Sequence, residues 1–175
     1  MTAGDGLLGL VKPPDFVITF DKQIQVYQNQ NLTFDATFGD YCVDFVLPKT
    51  PLPDTSAAAG LSFWAKDYDN YFLVMAANNG TISLYKRAAG VFSTIFTAPA
   101  DNSPFKAEPD AVNLRVIVSK DGKLTISLNG KPVKVIRALA PQGTMRFGFM
   151  AELDGKPPDA PTEIRLKGYK VIAGN

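Results

Sequence analysis

Apolar and polar side chains alternate one by one along much of this chain, and turn dipeptides cut the alternation about every eight residues. Between Asn113 and Lys120, Leu114, Val116 and Val118 point one way while Asn113, Arg115 and Ser119 point the other. Asp121-Gly122 follows as a hairpin turn, because glycine accepts a positive φ. Leu124, Ile126 and Leu128 then alternate with Thr125, Ser127 and Asn129, and Asn129-Gly130 turns the chain into Lys131 to Ile136. The period is two, so this is a three-stranded meander with the turn spacing of an all-β sandwich. Thirteen prolines and fourteen glycines interrupt most stretches of ten residues, which leaves little room for helices.

The same reading places strands at Phe16–Phe20, Gln23–Gln28, Leu32–Phe38, Tyr41–Leu47, Leu61–Lys66 and Tyr71–Ala77. It continues with Thr81–Arg87, Val91–Thr97, Thr144–Glu152 and Glu163–Val171, for about a dozen strands in all. Pro48–Ala59, Ala98–Ala111 and Asp154–Pro161 read as surface loops. A length of 175 residues argues for one domain, spanning 16–175, with 1–15 as a flexible N-terminal segment.

Histidine is absent, which excludes Ser-His-Asp and Cys-His nucleophiles, histidine metal sites and histidine pH switches. The one cysteine, Cys42, excludes an internal disulfide, and its neighbours Asp40 and Asp44 should raise its thiol pKa. The net charge of +1 gives no general pull toward nucleic acid. Charge is uneven along the chain: residues 1–80 hold four Lys/Arg against nine Asp, and residues 81–175 hold fourteen against eight acids. In a sandwich these halves interleave in space. No apolar run approaches the length of a membrane span. Met1 to Gly6 lacks a signal peptide's basic start and apolar stretch; its small residues suit a mature N-terminus left by cleavage, with a start Met added, and equally a cytosolic protein.

Several phrases, with the strands placed, match a known pattern. Ala59-Gly60-Leu61-Ser62-Phe63-Trp64-Ala65-Lys66-Asp67-Tyr68-Asp69-Asn70-Tyr71 resembles a segment of bacterial laminin G-like domains of the concanavalin A-like lectin/glucanase superfamily. Asn78-Asn79-Gly80-Thr81 with Tyr85-Lys86-Arg87, Ala111 to Val116, Leu128 to Val133, and Pro141-Gln142-Gly143 before Phe147-Gly148-Phe149 come in the same order and spacing. The resemblance spans about residues 38–172. It implies a two-sheet antiparallel jelly-roll, and it implies export, to the periplasm or beyond. The group also includes sugar-hydrolase-like domains of ill-defined activity, so function has to be argued from the site.

Glycosidases of that superfamily carry two glutamates and an aspartate alternating on one strand. Glu108, Glu152 and Glu163 are the only glutamates here, and none sits in such a motif. Asp40-Tyr41-Cys42-Val43-Asp44 is the nearest imitation, so a hydrolase would have to use Asp44 with Asp40 or Asp67 as acid or base. Asp67-Tyr68-Asp69-Asn70 offers oxygens that suit calcium, and turn chemistry alone explains the same four residues. No other cofactor is called for. Alternation gives a binding surface instead. If Leu61, Phe63 and Ala65 face the core, Trp64 faces out; if Ile82 and Leu84 face in, Tyr85 and Arg87 face out; and Asp44 lies opposite Tyr41, Val43, Phe45 and Leu47. Trp64, Tyr85, Arg87, Asp44 and Tyr71 are therefore the expected ligand-binding residues, an aromatic platform with charged neighbours suited to a glycan or another extracellular ligand. The expectation is a non-catalytic binding module, with a glycoside hydrolase or a self-associating structural domain as the alternatives.

Overall fold

The computed structural model describes residues 2–4, 7–11, 16–21, 26–34, 38–48, 55–98, 112–141, 145–156 and 158–174. Among the described residues there are fourteen strands and no helix: β1 (Thr2–Gly4), β2 (Leu7–Val11), β3 (Phe16–Phe20), β4 (Val26–Phe34), β5 (Phe38–Val46), β6 (Thr55–Asp67), β7 (Asn70–Ala77), β8 (Ile82–Ala88), β9 (Val91–Ala98), β10 (Val112–Val118), β11 (Lys123–Leu128), β12 (Lys131–Arg137), β13 (Met145–Gly155) and β14 (Thr162–Gly174). They form two antiparallel sheets. The eight-stranded sheet runs β1-β2-β14-β5-β10-β11-β12, with β3 also beside β14; the six-stranded sheet runs β4-β13-β6-β7-β8-β9.

Alternation decides what lies between the sheets. In β5, Tyr41, Val43 and Phe45 are buried while Cys42 and Asp44 are not. In β10 and β11 the expected inward sets, Leu114, Val116, Val118 and Leu124, Ile126, Leu128, are all buried. They meet Leu61, Phe63, Val74, Ile82, Leu84, Phe147 and Phe149 from the six-stranded sheet in one core. Each such large side chain contributes roughly 1.5–3 kcal/mol on leaving water. The meander turn at Asn129-Gly130 has φ of 49° and 76°, the backbone of a two-residue hairpin that matches strand twist.

Four details depart from the sequence reading. Residues 1–15, expected as a flexible segment, contain β2, which pairs with Lys170 to Ala173 of β14. The free side of β14 is long enough to take β3 along 162–166 and β2 along 170–173. Two expected strands merge into β4 across Val26–Phe34, and β6 begins at Thr55, within an expected loop.

The fourth concerns Trp64. Its φ is +51°, the left-handed region that costs a bulky residue roughly 1–2 kcal/mol. The β6–β7 register jumps between Phe63 and Asp67, and the β13–β6 register between Arg146 and Gly148, so a bulge lies here. A bulge breaks strict alternation. Phe63 and Trp64 both turn inward, with Trp64 only 2% exposed, and the indole packs edge-on against Phe72 at 5.3 Å. Ala65, expected in the core, instead joins the apolar cluster on the outer face of its sheet.

Candidate binding site

The outer face of the six-stranded sheet is where the chain departs from ordinary surface chemistry. Pairing aligns Ser62 with Leu73, Gly60 with Met75 and Met150, and Leu73 with Tyr85. These residues alternate with the core set, so they share the outward side. Yet Ala58, Ala65, Tyr71, Leu73, Met75 and Met150 form a second buried apolar cluster there, with Tyr85 packed against it. Gly60 lets β6 press against β7: a Cβ added to it would lie 1.8 Å from the Val74 carbonyl oxygen, so only glycine fits there.

A hollow of about 380 Å³ opens on this face. Aromatic rings and Leu73 line one side; Met150 and Glu152 of β13 line the other. Phe92 stands edge-on to Tyr71 at 6.0 Å and to Tyr85 at 6.3 Å. The Arg87 guanidinium lies 5.1 Å from the Phe92 ring centre and 6.0 Å from that of Tyr71. Two turns hold Arg87 there. Its Nη2 donates to Asp69 Oδ1 at 2.9 Å, Ala89 N donates to Asn70 Oδ1, and Gly90 N donates to the Asp69 carbonyl. Ala89 and Gly90 have φ of 50° and 80°, which fixes the β8–β9 hairpin.

Polar atoms on this face are left unanswered. Ser62 Oγ, Tyr71 Oη and Arg87 Nε are buried without a hydrogen-bond partner. A buried polar group with no partner costs about 1–3 kcal/mol, and two of these three, Tyr71 Oη and Arg87 Nε, belong to residues that line the hollow, where an incoming group could complete them. Burial, then the nearby Asp154 charge, pushes the Glu152 carboxyl above its ordinary range.

Of the residues expected to bind, Tyr71, Tyr85 and Arg87 come together in this hollow. Trp64 does not: the bulge seals its ring in the core, with Nε1 buried and unpartnered, although the residue borders a separate hollow of about 310 Å³ beside Ser119 to Gly122. Asp44 faces outward as expected, but from the other sheet. A sandwich has two outsides, and alternation alone does not say which one a strand faces. There Asn113 Nδ2 donates to Asp44 Oδ1 at 2.6 Å and to Cys42 Sγ at 2.9 Å, and Arg115 clasps Asp40 with two bonds of 2.7 and 2.6 Å. Burial and then Asp44 raise the Cys42 thiol pKa. The acids Asp44, Asp40 and Asp67 thus do not converge: Asp67 sits in the β6–β7 turn, accepting from Asn70 Nδ2 and Asp69 N. Among the described residues no group of three or more His, Cys, Asp or Glu could hold a metal ion.

Leu73, Phe92, Thr94, Met150 and Glu152 were not anticipated. The signal for β13 was present: with Phe147, Phe149 and Ala151 inward, Met150 and Glu152 must lie opposite.

No protein-family model and no curated protein matches the chain. Solved structures do. The Emp47p carbohydrate recognition domain aligns over 100% of this chain and 91% of its own, at 12% identity and a TM-score of 0.65. Carbohydrate binding module CBM66 from Bacillus subtilis aligns over 80% and 92%, at 15% identity and 0.55. A Bacillus licheniformis beta-glucanase aligns over 85% and 71%, at 11% and 0.56. The fold is a two-sheet antiparallel jelly-roll sandwich. At these identities the likeness establishes architecture alone.

Proposed function

We propose that this chain is a non-catalytic carbohydrate-binding module of the laminin G-like kind, exported to work outside the cytoplasm, and that the outer face of its six-stranded sheet is the binding site. The observation that carries this is the pair Tyr71 Oη and Arg87 Nε, buried and unpartnered on residues that line a hollow with Leu73, Tyr85, Phe92 and Met150. A sugar brings both complements, C–H faces for the rings of Tyr85 and Phe92 and hydroxyls for the polar atoms. A carbohydrate binding module and a carbohydrate recognition domain among the structural neighbours support this reading. The resemblance to exported bacterial domains supports the compartment. Glycan-array screening followed by calorimetry tests it: Tyr85→Ala should weaken binding at least tenfold, about 1.4 kcal/mol or more, with the melting temperature nearly unchanged. Array-wide absence of binding by the wild-type protein would overturn it.

One observation favours a hydrolase as the second reading. Glu152 lines the hollow, and burial followed by the Asp154 charge raises its carboxyl pKa, the direction that suits a general acid. A retaining mechanism requires a second carboxyl about 5–5.5 Å away, and among the described residues Glu152 is the only acid lining this hollow. Turnover of a chromogenic glycoside that disappears in Glu152→Gln would establish this alternative.

A further inference from the structure

Strand β9 is the last strand of the six-stranded sheet, and among the described residues nothing pairs with its outer edge. Five consecutive residues, Val91 to Ile95, are exposed, and Val91, Phe92 and Ile95 are 70%, 46% and 43% accessible. No charge and no proline interrupts the strand. Sheet edges are normally blunted by such devices. The neighbouring edge, β12, has them: Lys131, Pro132, Lys134 and Arg137 stand in seven residues, and its pairing with β11 carries a bulge.

The turn sets which backbone groups of β9 are free. Ala88 and Val91 flank the two-residue turn as a hydrogen-bonded pair, so Lys86 and Ser93 form the next one. Phe92 and Thr94 then direct their N–H and C=O away from β8. Beyond Thr94 the register shifts, so the regular free edge is Val91 to Ile95.

Charge decides among possible occupants. Lys134 Nζ of β12 lies 5.0 Å from the ring centre of Phe96 in β9, so the two edges share one flank; Lys86 Nζ stands over Phe72 at 5.7 Å. Lys86, Lys131 and Lys134 make no ion pair among the described residues. A second copy pairing edge to edge would set two β12 strands of like charge against each other. We propose that the free edge of β9 receives an extended acidic segment of another polypeptide as an added strand. Its backbone pairs with Phe92 and Thr94, while its alternate acidic side chains face Lys86 and Lys134. The remaining side chains cover Phe92 on the outer face.

A fluorescent, end-blocked heptapeptide alternating valine and glutamate serves as the probe, read by anisotropy against the full chain. It should bind, and its affinity should fall as salt rises. Thr94→Pro removes one outward N–H without touching the β8 ladder and should weaken binding at least about tenfold. Should Thr94→Pro fail to fold, the wild-type protein answers with a peptide N-methylated at alternate amides, which should lose affinity equally. Lys134→Glu should weaken the peptide about fivefold and leave pocket glycan binding unchanged. Equal binding of the plain and N-methylated peptides would reduce the effect to charge alone and overturn the proposal. Concentration-dependent self-association abolished by Thr94→Pro would hand the edge to a second copy and overturn it too.

Discussion

The two outer faces of the sandwich follow the same alternation and end with opposite chemistry. On the eight-stranded sheet both carboxylates of β5 have an answer beside them, Asp40 in the fork of Arg115 and Asp44 under Asn113. On the six-stranded sheet the outward side is largely apolar, and three polar atoms are without partners. A face whose polar groups satisfy one another is complete without help. A face that hides polar atoms under a hollow lowers its free energy when something arrives.

The largest test of that contrast is at the bulge, which sends Trp64 into the core and Ala65 to the outer face. Trp64→Ala should cost about 3–5 kcal/mol in chemical denaturation. Trp64→Gly should cost about 1 kcal/mol less, because glycine takes the left-handed backbone without strain. Equal losses would show that the +51° φ carries no strain. On the complete face, Arg115→Ala should lower stability by about 1 kcal/mol, because the pair is bidentate but its guanidinium is partly in water, and should leave glycan affinity alone.

Glu152 gives a pH test. Its folded pKa is raised, so the stability it contributes is fully present below the ordinary carboxyl value and is lost as pH rises through the raised one. Glu152→Gln should therefore melt higher than the wild type at neutral pH, and the advantage should vanish in acid, as thermal scans from pH 4 to 8 would show. The smallest effect belongs to the complete face: Asp44→Asn should speed alkylation of Cys42 a few-fold at pH 8, because burial first and the Asp44 charge second raise the thiol pKa and the substitution removes the second.

The meander from Leu114 to Ile136 was legible residue by residue, because alternation and turn dipeptides are local properties. The facing of Tyr85 and Arg87 was legible for the same reason. Trp64 was not: a bulge is a mismatch between two strands, and β6 alone carries no mark of it. Nor was the separation of Asp44 from Tyr85, since inward and outward are local while membership in one sheet or the other is decided by distant pairing. Export and the laminin G-like assignment still stand on resemblance.

Strand β14 pairs with β5 on one side and with β2 and β3 on the other, so the last of the fourteen strands to leave the ribosome is an inner rail of the larger sheet. Until it emerges, β5 lacks one neighbour, and β2 and β3 lack the strand that ties each of them to the sheet. Final closure of the sandwich is thus postponed until its last strand is made, and a nascent chain must carry two open seams until then.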